Sequence, residues 1–470
     1  MPVAPGYKPD PLFEKLGPEF ADPVTAARFP QHILRRRNQA WAEHVGLGAL
    51  TDAEWEAHFA RFEPLPGNMQ TPLAMRYHGH QFRNYNPEIG DGRGFLFAQV
   101  RDDRGRLLDL GTKGSGQTPY SRFGDGRLTL KGGVREVLAA EMLEALGVYT
   151  SKAFALFETG EALTRGDEPS PTRSSVLVRL SHSHIRFGTF QRLAFFERPD
   201  LMHTLIEHAC AAYYPQRLNL AGEARAAALF GEVVEANARL CASWMAAGFV
   251  HGVLNTDNLN ITGESFDYGP WRFVPTSDPS FTAAYFDETG LYAFGRQPEA
   301  VSWALAQLGG ALSIVCPPAL LEPELGRFAP AYQHGLRGAM FRRLNLVEGA
   351  LEPDLKFLQA LFDWLTESRA GWDQFFHDWR TSDARARRAA VSPQAALYAA
   401  PAFASVRHGI ESRAPSGSIA HHPYWSRATP HTMLIEEVEA VWAAIAERDD
   451  WSVFEAKLSQ ITELRAALQG

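Results

Sequence analysis

The sequence predicts a two-lobed α+β fold, strand-rich in its first half and helical in its second, with the halves meeting near residue 195. Three observations carry this expectation. Between residues 92 and 190, apolar residues alternate or run in short blocks separated by Asp- and Gly-rich turns, as strands require. Beyond residue 195 they recur every three to four positions over long stretches, as amphipathic helices require. The length of 470 residues, with 45 % apolar and 21 % charged content, supplies a large core for one two-lobed body or for two to three units.

Residues 1–70 read as a helical extension. Trp41, Trp55 and Phe59 sit among charged residues over 21–65, and Pro64, Pro66 and Gly67 end the pattern. Residues 71–195 form the strand-rich part. A strand over 94–100 turns through Asp102-Asp103-Arg104-Gly105 into a partner over 106–113. In that partner Asp109, Gly111 and Lys113 share one face, and Leu108, Leu110 and Thr112 the other. Lys113 therefore has little bulk beside it. A helix follows, with Val134, Leu138, Met142 and Leu146 on one stripe and Gly147 at the capping position. Strands resume over 153–158 and 175–180. Residues 196–470 form the helical part. Its clearest helix spans 223–247, with Leu229, Val233, Ala236, Leu240 and Trp244 on one face and Gly248 at its end. Further helices are expected over 297–315, 351–367 and 433–468. No repeat of solenoid length is present; the string GDGR occurs twice, at 90–93 and 124–127, and marks two tight turns.

The formal net charge of −8 gives no global attraction to nucleic acid. Basic runs at Arg35-Arg36-Arg37 and around Arg385–Arg388 read as solvated helix faces. The 3 cysteines, Cys210, Cys241 and Cys316, are far apart and form no CxxC pair, which argues against a disulfide framework or structural zinc. The first twenty residues lack the apolar stretch of a signal peptide, and no apolar window is long enough to span a bilayer. The expected location is cytoplasmic, without membrane partners.

Four features suit the binding of a nucleoside triphosphate and a divalent metal. Gly90-Asp91-Gly92-Arg93-Gly94 precedes a strand; its glycines allow backbone N–H groups near phosphate, and an arginine can clamp it, although a ligand-free turn reads the same way. Lys113 on a strand and Glu136 on the next helix match the kinase pair that holds phosphates, a match that chance alone also produces. The loop His251-Gly-Val-Leu-Asn-Thr-Asp-Asn258 follows a long apolar helix and leads to Asp267-Tyr268-Gly269. In kinases a catalytic loop ending in a metal-binding Asn precedes a DFG triplet, so Asn258 and Asp267 are the candidate ligands for Mg²⁺ or Mn²⁺. Arg179 and Arg186 flank Leu-Ser-His-Ser-His-Ile and suit either bidentate phosphate contact or a solvated hairpin. One position departs from a kinase: Val253 stands where the catalytic Asp belongs, and the nearest carboxylate is Asp257. His78, His80, His182 and His184 form two HxH pairs without a third ligand at a recognisable spacing, and read as structural.

These residues resemble the selenoprotein O family, known in bacteria as YdiU. The matching segments are PLAMRYHGHQF (72–82), the turn at 90–93, GTKGSGQTPYSRFGDGR (111–127), VREVLAAEML (134–143), SHIRFGTF (183–190), HGVLNTDNLNITGESFDYGP (251–270) and FDETGLYAFGRQPEAVSWALAQL (286–308). The resemblance implies a protein-kinase-like fold that binds ATP in the reverse direction and transfers AMP to Ser, Thr or Tyr hydroxyls of proteins, releasing pyrophosphate. UMP transfer from UTP is also implied. It further implies that Gly90, Gly92, Arg93, Lys113, Asp125, Gly126, Arg179 and Arg186 contact the nucleotide and that Glu136 orients Lys113. Asp257 accepts the proton, and Asn258 and Asp267 hold the metal. Departures are Arg83 in place of glycine, Gly132 and Gly133 before the helix, Leu259 after NTDN, and no cysteine beyond Cys316. Two other functions fit the residues: a conventional kinase, which Val253 opposes, and a non-catalytic nucleotide-binding scaffold, which Lys113, Asp257, Asn258 and Asp267 together oppose.

Overall fold

The computed structural model describes residues 4–166, 168–381, 385–417 and 422–469. It has a mixed α/β architecture built on an antiparallel sheet. The strands in chain order are β1 (Ala21–Pro23), β2 (Ile33–Arg37), β3 (Leu73–Met75), β4 (Gly79–Gln81), β5 (Asn84–Asn86), β6 (Leu96–Arg101), β7 (Leu107–Lys113), β8 (Leu128–Thr129), β9 (Lys152–Leu163) and β10 (Thr172–Ser181). Eight of them form one sheet in the order β1-β3-β6-β7-β10-β9-β2, with β8 beside β10; β4 and β5 make a separate hairpin.

The two faces of β7 divide as its alternation requires. Leu108 and Leu110 join Phe97, Phe154, Phe157 and Val178 in a core closed by Trp55 and Phe59. These two belong to α2 (Asp52–Phe59), which follows α1 (Gln39–His44) and starts with a capping box between Thr51 and Glu54. Trp55 is fully buried and stacks on Phe154 at 5.0 Å. Its burial contributes about 3 kcal/mol, the scale for a large apolar side chain. The opposite face carries Leu96, Leu156 and Leu177, which pack with α3 (Leu130–Ala145) in the largest core. Thr129 caps α3 by accepting from Gly132 N at 3.1 Å, and Gly147 follows its end at φ +81°.

The chain then turns helical: α4 (Phe187–Phe195), α5 (Pro199–Tyr213), α6 (Gly222–Ala247) and α7 (Gln297–Leu312). Gly248, at φ +69°, stops α6, as only a left-handed residue ends the helix there. The short strands β11 (Phe249–Val250) and β12 (Arg272–Phe273) pair with each other and bracket the loop 251–271. Cys210, Cys241 and Cys316 are free and buried. Among the described residues no helix is long and apolar enough to cross a membrane.

Three expectations need correction. Residues 21–65 are not helical throughout: β1 and β2 lie within them and join the sheet. Arg35-Arg36-Arg37 is accordingly a strand. Arg35 meets Glu158 at 2.7 Å, Arg36 meets Glu141 at 2.8 Å and Arg37 meets Asp52 at 3.1 Å, and these distant carboxylates let the charges sit on a sheet edge. Residues 433–468 form two helices, Ile435–Arg448 and Ser452–Gln469, broken where Asp449 takes φ +48°. Arg388 is buried, donating to the carbonyls of His377 and Arg380 that the end of the helix Trp372–Trp379 leaves open.

Candidate functional site

Lys113 ends β7, and Glu136 sits in the second turn of α3. Both side chains are buried and form an ion pair with each other. Gly111 leaves room for the neighbouring chain: a Cβ there would lie 2.5 Å from His184 Nε2. Lys113 Nζ is also 3.3 Å from Asp267 Oδ1, so one ammonium bridges a helix carboxylate and a loop carboxylate.

Asp267 gathers two more cations. Arg179, opposite Gly111 on β10, places Nη1 2.5 Å from Oδ1, and Arg186, at the start of α4, places Nη2 3.2 Å from Oδ2. Burial alone would raise the pKa of Asp267; the positive charges of Arg179, Lys113 and Arg186 overcome it and hold the carboxyl well below the usual range. Burial likewise opposes charge on Arg179 and Arg186, but nearby anions, Asp267 among them, keep both guanidiniums more firmly protonated than usual. Arg186 also packs between Tyr77 and Phe266, 4.6 Å and 5.0 Å from the ring centres. Asp267 itself stands at φ +61°.

The loop 251–258 is fixed from three sides. His251 Nε2 meets Phe266 O at 2.9 Å, and Gln297 of α7 accepts from His251 N at 3.0 Å. The hairpin β4–β5 lies along the loop: His80 N donates to Thr256 Oγ1 at 2.7 Å and Phe82 N to Asn255 Oδ1 at 3.0 Å. Residues 185–187 pair with 259–261, with Phe187 N to Leu259 O at 3.0 Å and Ile261 N to Ile185 O at 3.2 Å. This pairing holds Arg186 against the loop, where its Nε donates to Asp257 O at 3.0 Å. Asp257 is partly exposed as a residue, yet its Oδ1 is shielded from solvent and has no hydrogen-bond partner. Burial pushes its carboxyl up to about 6 against the lowering charge of Arg186. Asn258 spends Nδ2 on Val253 O at 3.0 Å.

The loop 116–121 ties down both GDGR turns. Thr118 Oγ1 donates to Asp91 O at 2.6 Å, Ser121 Oγ to Gly92 O at 2.5 Å, and Gly116 N to Gly126 O at 3.1 Å. A Cβ on Gly90 would strike the Tyr120 ring at 2.5 Å, and one on Gly94 would lie 2.1 Å from Thr112 O, so both positions require glycine. Asp125 is held by Arg165 at 2.8 Å and accepts from Arg127 N at 2.9 Å. Burial works against its charge, but those hydrogen bonds leave its carboxyl below the usual range.

Gly90, Gly92, Arg93, Lys113, Asp125, Gly126, Arg179, Arg186, Asp257, Asn258 and Asp267 all line one cleft of about 770 Å³, with Glu136 directly behind Lys113. A sequence model described as protein adenylyltransferase SelO matches residues 6–462. The chain belongs to the SelO family. This SelO chain is 45 % identical over 460 residues to the protein nucleotidyltransferase YdiU of Synechocystis sp., covering 95 % of this chain and 96 % of that protein. It is 47 % identical over 454 residues to the YdiU protein of Gloeobacter violaceus, covering 95 % and 93 %. With that of Trichodesmium erythraeum it shares 45 % over 469 residues, covering 96 % and 98 %.

In this SelO chain the histidine pairs are engaged within the protein. His78 Nδ1 meets Tyr85 OH at 2.9 Å, His80 Nδ1 meets Gln191 Nε2 at 2.9 Å, His182 Nδ1 meets Tyr149 OH at 2.6 Å, and His184 N donates to Asp109 at 2.8 Å. Sequence reasoning missed the support these segments give. Thr256 Oγ1, which accepts from His80 N, donates to Gln191 Oε1 at 2.7 Å, and Tyr292 OH donates to Asn255 Oδ1 at 2.8 Å. Tyr77, Gln81, Asp91 and Tyr120 line the cleft as well. The segment 72–82 was visible as a family motif, but nothing in its own pattern reveals what it touches.

Proposed function

We propose that this chain transfers AMP from ATP to Ser, Thr or Tyr hydroxyls of proteins, releasing pyrophosphate, and that it accepts UTP in the same cleft. We read the architecture as protein-kinase-like, with a strand-rich lobe over 71–195, a helical lobe over 196–470 and residues 1–70 as an extension; the expected location is cytoplasmic. The observation that carries the reading is Asp257: a carboxylate with one shielded, unpartnered oxygen and a pKa near 6, in a cleft where Lys113, Arg179 and Arg186 converge. A proton acceptor beside a cluster of fixed cations suits attack by a hydroxyl on a phosphate.

In this reading the acceptor oxygen attacks the α-phosphorus, the bond from that phosphorus to the bridging oxygen breaks, and pyrophosphate leaves. Asp257 takes the hydroxyl proton. Lys113, oriented by Glu136, and Arg179 and Arg186 hold the phosphates in line, so positioning and charge stabilisation supply most of the rate. Gly90, Gly92, Arg93, Asp125 and Gly126 form the wall that the nucleotide lies against. Asn258 and Asp267 are the proposed ligands of Mg²⁺ or Mn²⁺. One feature supports the fit: Asn258 has only its nitrogen committed, leaving an amide oxygen for a hard cation. Among the described residues no group of three His, Cys, Asp or Glu is placed to hold a metal by itself, so Asn258 and Asp267 would hold the ion together with the bound nucleotide. When bound, the ion neutralises phosphate charge.

The test is label transfer to protein from ATP labelled at the α- or the γ-phosphate, with Mg²⁺ or Mn²⁺, using the wild type and Asp257→Ala. Label from α alone, lost in the variant, is the expected result. Label from γ alone would make the chain a conventional kinase. Saturable ATP binding with no labelled product would make it a scaffold.

A further inference from the structure

Arg135 and Glu136 are adjacent on α3, yet they serve different sides of the cleft. Glu136 reaches Lys113. Arg135 reaches past the end of the Asp267-Tyr268-Gly269 triplet, with Nη2 3.3 Å from Gly269 O and 3.2 Å from Trp271 O, and its guanidinium lies over the Trp271 ring at 5.0 Å. Among the described residues the other donor at these two carbonyls is Arg272 Nη1, 2.9 Å from Trp271 O. Asp267 needs such a hold, since a non-glycine residue at φ +61° persists only where its surroundings impose it.

Arg135 is itself held from outside the cleft. The helices Ile435–Arg448 and Ser452–Gln469 pack on α3: Val438, Val441, Phe454, Ile461 and Leu464 share one core with Val134 and Leu138. Glu439 lies 2.7 Å from Lys131 and 3.8 Å from Arg135, and Arg465 lies 2.7 Å from Glu141 and 3.1 Å from Glu144. Burial and the neighbouring Arg272 lower the pKa of Arg135 to about 10, and Glu439 opposes them, so the carboxylate favours the charged form that both carbonyls need. Ion pairs to the half-exposed Glu439 contribute little alone; the apolar seat sets where α3 lies, and Arg135 passes that position on.

We propose that Arg135 is a positioning residue that transmits the seating of the two C-terminal helices on α3 to the 267–271 segment. These helices then set the geometry of the cleft from its far side, through a single turn of α3 that presents Glu136 to Lys113 and Arg135 to the triplet. The inference rests on the roles proposed above for Lys113 and Asp267.

The experiment compares the full-length wild type with Arg135→Ala, Arg135→Lys and Glu439→Lys. It measures amide hydrogen exchange along the chain, and AMP transfer as a function of Mn²⁺ at saturating ATP. Losing a charged donor to two carbonyls should speed exchange over 267–274 by about tenfold in Arg135→Ala and raise the half-saturating Mn²⁺ by about as much. Exchange within α6 should not change. Glu439→Lys should act in the same direction by roughly threefold, and Arg135→Lys should recover part of the loss. Unchanged exchange over 267–274 in Arg135→Ala would overturn the proposal. So would an equal rise across the whole chain, which marks general destabilisation. Should the exchange pattern hold while the wild type transfers no AMP, the positioning role of Arg135 stands and the proposed reaction falls.

Discussion

Arg186 connects Asp257 to Asp267: its Nε donates to the Asp257 carbonyl at 3.0 Å while its Nη2 lies 3.2 Å from the Asp267 carboxylate. One guanidinium therefore fixes the spacing between the proposed proton acceptor and the proposed metal ligand. Because Arg186 is buried and its segment is paired to residues 259–261, that spacing belongs to the folded chain before any ligand arrives.

Asp257→Asn keeps the shape and removes the basicity. Loss of a general base costs roughly 10²–10⁴ in rate. The expected outcome is a fall of that size in kcat for AMP transfer, with the Kd for ATP within about threefold of wild type. A variant that keeps its rate would remove Asp257 from the chemistry.

The pH profile should report the same group. Burial raises the Asp257 carboxyl from 3.8 to about 6, so the basic form is lost as pH falls through that value, and kcat/KM should decline below pH 6 with unit slope. Stability runs the other way. Between the two values the native state binds the proton that the unfolded chain has released. The contribution of this carboxyl is therefore full below about pH 4 and lost as pH rises through about 6. Asp257→Asn should flatten both trends; a profile that still bends at the same pH would assign it to another residue.

Lys113→Met leaves Glu136 buried without its partner, which typically costs about 3–5 kcal/mol. The single variant should lose both stability and activity. Replacing both residues, Lys113→Met with Glu136→Met, should recover most of the stability, as judged by urea unfolding, and none of the transfer activity. Activity in the double variant would show that the pair is structural only.

Gly79→Ala tests the hairpin that lies on the loop. The new Cβ would sit 2.9 Å from Thr256 Oγ1 and 3.4 Å from Asp257 Oδ1. Shifting the loop by a few tenths of an ångström should cut kcat by about tenfold or more, since small misplacements of reacting groups are costly. The melting temperature should fall by only a few degrees, because the clash lies at the site and not in the main core. Full activity would mean that the hairpin yields freely.

Much of this was legible in the sequence where local pattern and final environment agree. The β6–β7 hairpin shows as alternation around Asp102–Gly105, and α6 shows as an apolar stripe ended by Gly248, because both patterns are completed by neighbours in the chain. The order of helix, His251–Asn258 loop and Asp267 triplet likewise announced which side chains share a cleft. What stayed hidden depends on distant partners. Arg35–Arg37 reads as a solvated helix face until Glu158 and Glu141 appear beside it. The turn at 90–94 gives no hint that Tyr120 lies on Gly90, nor does HGHQF show that it clasps Thr256 and Asn255. The break at Asp449 is invisible because an apolar stripe continues on both sides of it.

The strands β1 and β2 lie at opposite margins of the sheet, although only a short link, 24–32, separates them in the chain. That link runs past the ends of the intervening strands, with Ala27 N bonded to Ser115 O and Gln31 N to Thr159 O. The same early stretch thus covers both margins like a strap: β1 closes on β3, which follows soon after it, but β2 cannot pair until residues 155–158 have been made and folded. Until then β2 offers an open ladder to any neighbouring chain, the usual route to intermolecular pairing. A chain shortened past residue 37 would keep every residue proposed for the chemistry and still be left with both margins exposed, so its expected failing is clumping rather than a defective cleft.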